Sequence, residues 1–249
     1  MSAVLNMPSE EQRRSAPSQK VEPLENGDLL IASEFLRRYE AMPHLKKAEL
    51  IEGIVYMGSP VRLIHAEPDS LIHMWLSHYS AFTPGCKAAA NATIRLDPDN
   101  VLQPDALLRI DPEKGGISSV DTEGYLTGPP ELIAEITSSH VSIDLRDKLR
   151  VYRRAGVREY LVWRTIDSAL DWFVLEKDAY VPNVPDAEQI YRSRIFPGLW
   201  LDLPALLAQN AARILQVIEL GLESPAHAEF KARLNARTQS SDDSRPPAH

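Results

Sequence analysis

The chain has a single cysteine, Cys86, among its 249 residues. It therefore has neither an internal disulfide nor a cysteine-built zinc site, and it suits a reducing compartment. Cys86 itself reads as a small apolar filler rather than a reactive thiol. No run of about 18 apolar residues, the length a membrane-spanning helix needs, occurs anywhere. The N-terminal stretch carries Glu10, Glu11, Arg13 and Arg14 without an apolar segment, so it does not read as a secretory leader. These absences lead to the expectation of a cytoplasmic protein with no membrane contact.

Several familiar motifs are missing as well. Gly115-Gly116 lies in neither a G-x-G-x-x-G nor a P-loop pattern, which excludes the common nucleotide cradles. There is no G-x-S-x-G elbow to support an esterase. His65, His73 and His78 share one segment but lack the H-E-x-x-H spacing of a zinc hydrolase. Positive charge is also scarce: 27 Lys and Arg face 35 Asp and Glu, a formal net charge of -8. That balance argues against a protein that coats nucleic acid, so any DNA contact must be local.

What is present is ordinary globular material, 44% hydrophobic and 25% charged, enough for one sizeable domain. Residues 1–27, broken by Pro8, Pro17 and Pro23, read as a disordered lead-in. Residues 28–222 read as a single folded domain, and 223–249 as a polar, largely disordered tail ending in Pro246-Pro247. The patterning predicts a short helix from Ser33 to Pro43 and a hairpin or bent strand over 48–57, broken by Gly53. A helix over 62–81 follows, with Pro68 interrupting or restarting it. Strands are expected over 87–96 and 102–110, joined by the turn Asp97-Pro98-Asp99-Asn100, and a third over 131–137. A helix over 143–155 should stop at Gly156, followed by strands at 159–164 and 170–176 and a closing helix over 204–222. The fold class is α/β (α+β), a mixed β-sheet flanked by helices.

The chemistry concentrates on two strands and one helix. In VLQPDALLRI, alternation groups Leu102, Ala106, Leu108 and Ile110 on one face and Gln103, Asp105 and Arg109 on the other. In ELIAEIT, Leu132, Ala134 and Ile136 oppose Glu131, Ile133, Glu135 and Thr137, so Glu135 is an acid embedded in an apolar strand. Burying such a carboxylate is costly unless it is paired or binds a cation. On the following helix, Leu145, Lys148, Leu149 and Tyr152 form the apolar stripe, aiming a lysine ammonium at the sheet. Two carboxylates holding Mg²⁺ (or Mn²⁺) and an inward lysine form a workable phosphodiester-cleaving centre. His65 lies near the loop after Ser59-Pro60 and is a candidate substrate contact. Arg146, Arg150, Arg153 and Arg154 could meet a phosphate backbone or simply form a solvated face. The same pattern admits a structural reading: Asp105 caps a strand end, Glu135 pairs with an arginine, and Lys148 reaches Asp144.

The blocks ELIEGIVYMGSP (49–60), NVLQPDALL (100–108), LIAEITSSHVSIDLRDKLRVYRRAGVREYLVW (132–163) and FPGLWLDLPALL (196–207) resemble the Uma-two family of restriction-endonuclease-like proteins, within the PD-(D/E)XK nuclease superfamily. The resemblance implies a three-layered restriction-endonuclease-like core, a metal site at Asp105 and Glu135 with Glu49 as an extra acid, DNA as substrate, and a homodimer. One departure is clear: the superfamily lysine two residues beyond the second acid is Thr137 here, and Lys148 is the natural substitute. Thr137 and the negative net charge keep a noncatalytic binding or assembly module, built on the same scaffold, as the alternative.

Overall fold

The computed structural model describes residues 21–58, 62–138 and 141–242. Most of the expected lead-in, the Ser59-Pro60 loop and the end of the expected tail lie outside the described residues. In chain order the elements are α1 (Ala32–Glu40), β1 (Ala48–Ile51), β2 (Ile54–Met57), α2 (Leu63–Phe82), β3 (Cys86–Ala90), β4 (Ile94–Asp97), β5 (Asn100–Leu102) and β6 (Ala106–Ile110). Then come β7 (Ser119–Val120), β8 (Leu126–Thr127), β9 (Leu132–Thr137), α3 (Leu149–Ala155), β10 (Glu159–Arg164), β11 (Ala169–Glu176) and β12 (Ala179–Pro182). The chain closes through β13 (Ile190–Arg192), β14 (Trp200–Asp202), α4 (Leu203–Leu207), α5 (Ala211–Leu222) and α6 (Pro225–Asp242).

The strands form a central sheet ordered β12-β11-β10-β9-β6-β3, a second sheet ordered β2-β1-β5-β4-β8-β7, and the small pair β13-β14. Both larger sheets are mixed, because β9 runs parallel to β10 and β4 parallel to β8 while their other pairings are antiparallel. This is the mixed α/β class that the sequence predicts. Strand β9 is buried along its whole length, as a strand covered on both faces must be. On one face Leu132, Ala134 and Ile136 join the main core with Trp75 and Tyr79 of α2, Ile214 and Ile218 of α5, and Phe230 of α6. On the other, Ile133 packs with Val151 and Tyr152 of α3 and with Ile94 and Leu102 of the second sheet. The second face also holds the site.

The hairpin β1-β2 turns through Glu52 (φ 51°) and Gly53 (φ 80°), two consecutive left-handed residues that match the right-handed twist of the strands. The expected helix over 143–155 forms with a π-helical first turn at Ile143–Lys148, and it stops at Gly156 (φ 92°).

Four expectations are corrected. The predicted strand over 87–96 divides at Asn91 (φ 50°), leaving β3 in the central sheet and sending β4 to the second. The predicted strand over 102–110 divides at Pro104 in the same way, so Leu102 packs with Leu107 rather than with Ala106 and Leu108. Helix α2 runs unbroken through Pro68, whose missing N–H falls near the exposed Ile64 at the helix start, where solvent can satisfy the freed carbonyl. The tail expected to be disordered from residue 223 forms α6, because Phe230 and Leu234, one turn apart, bury against the main core beside a fully buried His227. No helix among the described residues is long and apolar enough to cross a membrane.

Candidate active site

Antiparallel pairing of β6 with β9 sets Ala106 opposite Ala134. The next residues outward are Asp105 and Glu135, so the two carboxylates are cross-strand neighbours on the face turned towards α3. Glu135 is 3% exposed and Asp105 5%. Glu135 Oε1 accepts hydrogen bonds from Lys148 Nζ at 2.9 Å and from the Tyr152 hydroxyl at 3.0 Å. The Lys148 ammonium also forms an ion pair with Glu49 Oε2 at 2.9 Å and lies 3.7 Å from Asp144 Oδ1. Glu49 reaches the cluster from β1, where its Oε1 accepts from the Gln103 backbone N–H at 2.8 Å. Asp105 Oδ1 accepts from Lys47 Nζ at 2.8 Å, Oδ2 accepts from the Ile136 N–H at 2.8 Å, and His65 Nε2 stands 3.5 Å from Oδ2.

Among the described residues, the carboxyl groups of Glu49, Asp105, Glu135 and Asp144 share this buried space with the ammonium groups of Lys47 and Lys148, and His65 stands beside Asp105. Burial consequently pushes the Glu135 carboxyl up to about 8, even with the Lys148 ammonium drawing it down. Burial raises Asp144 as well. Lys148 moves the other way from a normal buried lysine: desolvation disfavours its charge, but Glu135, Glu49 and Asp144 outweigh it and hold the ammonium protonated. Burial also works against Asp105, yet His65 and Lys47 keep its carboxyl well below the usual carboxylate range.

The donor set fits a hard divalent cation: buried carboxylate oxygens on adjacent strands, in a cluster that is short of positive charge. Among the described residues no three His, Cys, Asp or Glu side chains converge as a metal cage. Mg²⁺ does not require one, because it binds through one or two carboxylates and keeps water or phosphate for its remaining positions. Asp105 and Glu135 would supply those two carboxylates, with Glu49 adjoining.

Of the residues singled out in the sequence, Asp105, Glu135, Lys148, Glu49 and Tyr152 come together and His65 borders them. In this structure Glu135 pairs with a lysine rather than an arginine, and Lys148 lies closer to Glu135 and Glu49 than to Asp144. The arginines lie elsewhere. Arg150 and Arg154 both pair with Glu52, and Arg153 donates to the Asp178 carbonyl. Arg146 remains largely exposed beside Asp147. Thr137, two residues beyond Glu135, is buried, and its hydroxyl draws the Asp144 carboxyl down against the effect of burial.

Sequence reasoning missed Lys47 as a partner of Asp105, although its position two residues before Glu49 places both on one strand face. It also missed Asp69, and it weighed His73 only as a zinc ligand. His73 Nε2 donates to the Asp105 carbonyl at 2.7 Å, and its Nδ1 lies 3.5 Å from Asp69 Oδ2. The spacing His65, Asp69, His73 along one helix face was available as a signal.

A family model described as "Uma2: Putative restriction endonuclease" matches residues 32–204. Among solved structures, the chain is similar to one described as a "putative nuclease belonging to DUF820" from Anabaena variabilis, at 12% identity and a TM-score of 0.53. That match covers 70% of this chain and 97% of the other. No match is found among curated proteins.

Proposed function

Since the chain belongs to the Uma2 family of restriction-endonuclease-like proteins, we propose that it is a metal-dependent endonuclease hydrolysing DNA phosphodiester bonds at Asp105, Glu135 and Lys148. The observation that carries this reading is the Lys148 ammonium, fixed 2.9 Å from both Glu135 and Glu49 beside the cross-strand Asp105. Asp105 and Glu135 would hold the ion. When bound, Mg²⁺ or Mn²⁺ supplies Lewis acidity towards the phosphodiester and offsets the excess carboxylate charge. Lys148 stays protonated and stabilises negative charge as it develops on the phosphoryl oxygens. Tyr152 and Glu49 hold Glu135 and Lys148 in place, and His65 flanks the mouth as a substrate contact. The reading includes a cytoplasmic location and a homodimer, whose mass light scattering would report.

Nicking of supercoiled plasmid at low salt with Mg²⁺ or Mn²⁺ tests the proposal. Cleavage by the wild type and its loss in Asp105→Ala and Lys148→Ala are expected. Intact DNA, single- and double-stranded, in every condition would refute it.

One observation favours a second reading, a binding or assembly module on the same scaffold. The arginines best placed to follow a DNA backbone, Arg150 and Arg154, are spent on Glu52. A folded protein that captures a partner and neither binds divalent ions nor cleaves DNA would establish that reading instead.

A further inference from the structure

A cavity of about 480 Å³ opens between the β3 edge of the central sheet and the β7-β8 hairpin, away from the carboxylate cluster. Its size falls within the range of small-ligand sites. Alanines 88, 89 and 92 leave the space, and Leu107, Tyr125 and Leu126 give it an apolar body. Among the described residues its charged lining residues are Lys87 and Arg109, and no acid lines it, in a chain whose net charge is -8.

Lys87 on β3 and Arg109 on β6 are directly paired across the strands, so both side chains leave the same face as neighbours. Lys87 is exposed and has no side-chain hydrogen bond or ion pair among the described residues. Arg109 is only partly satisfied: Nη2 lies 3.6 Å from Asp111 Oδ1, while Nη1 is buried without a hydrogen-bond partner among the described residues. A buried guanidinium nitrogen left unpaired is costly, and an oxyanion accepting from it would remove that cost.

We propose that this cavity is a second ligand site, which takes a phosphate monoester on a nucleotide-sized body through Lys87 and Arg109. With a charge of about -1.5 to -2 at neutral pH, a phosphate monoester is drawn to Lys87 and Arg109 more strongly than a singly charged carboxylate, although Asp111 beside Arg109 offsets part of that attraction. The apolar lining and the Tyr125 ring receive the rest of the molecule. The Tyr125 hydroxyl is held by Glu40 at 2.8 Å, and the Arg95 guanidinium lies 4.4 Å from its ring centroid, so the ring is fixed in position. The phosphate can come from a free nucleoside monophosphate or from the 5′ end of a DNA strand.

Calorimetric titration in EDTA, which keeps the carboxylate cluster free of divalent ions, separates this proposal from the nuclease reading. The probes are deoxyadenosine monophosphate, deoxyadenosine, and a short oligonucleotide with and without a 5′ phosphate. Saturable binding that needs the phosphate, and that weakens about tenfold or more in both Lys87→Gln and Arg109→Gln, is expected. Binding of the monophosphate assigns the free nucleotide as ligand; binding of the phosphorylated oligonucleotide alone assigns the strand end. No binding of any probe, or binding unaltered in both variants, would overturn the proposal.

Discussion

Lys148 and Glu135, thirteen residues apart, meet at 2.9 Å with both side chains almost wholly removed from solvent. An ammonium buried in this way is tolerated because Glu49 and Asp144 share it. Removing it leaves several carboxylates crowded together in a low-dielectric space. Lys148→Ala is therefore expected to destabilise the fold by about 3–5 kcal/mol. Urea unfolding at neutral pH measures this, and a loss below about 1 kcal/mol would show that the ion pair is not closed as described.

Lys47 occupies Asp105 Oδ1, an oxygen that a divalent ion would use. Lys47→Ala deepens the local charge deficit and frees that oxygen. Mn²⁺ affinity is expected to rise several-fold, which is about 1 kcal/mol. A fall in affinity would mean that Lys47 orders Asp105 for the ion instead of competing with it.

Glu159 supplies a pH-dependence away from the site. It is fully buried, and burial pushes its carboxyl up to about 7, beyond what its hydrogen bonds from Ser193 and the Arg194 N–H offset. The folded state thus holds this proton more tightly than the unfolded chain, whose carboxyl titrates near 4.5. The associated stability is fully present below pH about 4.5 and is lost as pH rises through about 7, by up to about 3 kcal/mol. Denaturation curves across that window should show a shallower decline in Glu159→Gln than in the wild type, and parallel declines would assign the slope to other groups.

Glu52 holds Arg150 and Arg154 together at the tip of the β1-β2 hairpin. Glu52→Gln releases both and removes a negative charge. If this face meets DNA, affinity at low salt should increase and its dependence on salt should steepen. An unchanged salt slope in an anisotropy titration would place the DNA path elsewhere.

Much of the site was legible because strand and helix periodicities are local. Alternation set Glu135 opposite the apolar face of β9, and the stripe Leu145, Lys148, Leu149, Tyr152 turned an ammonium and a phenol hydroxyl towards the same place. The β1-β2 hairpin, the turn at Asp97 to Asn100 and the stop at Gly156 carried their own backbone signals. What escaped depends on tertiary placement. Nothing in the alternation of residues 87–96 says that Asn91 hands the chain from one sheet to the other. Lys47 looks like any solvated lysine until Asp105 is brought beside it across 58 residues. Helix α6 is polar overall, and only the neighbours of Phe230 and Leu234 give its short apolar strip something to bury against.

Calorimetric titration of Mn²⁺ into the wild type, Asp105→Ala and Lys87→Ala tests the central claim most directly, since the carboxylate cluster is read as a divalent-ion site. One saturable site, present in the wild type and Lys87→Ala and absent from a folded Asp105→Ala, is expected. No saturable binding, or binding indifferent to Asp105, would contradict the assignment of Asp105 and Glu135 as the metal-holding pair.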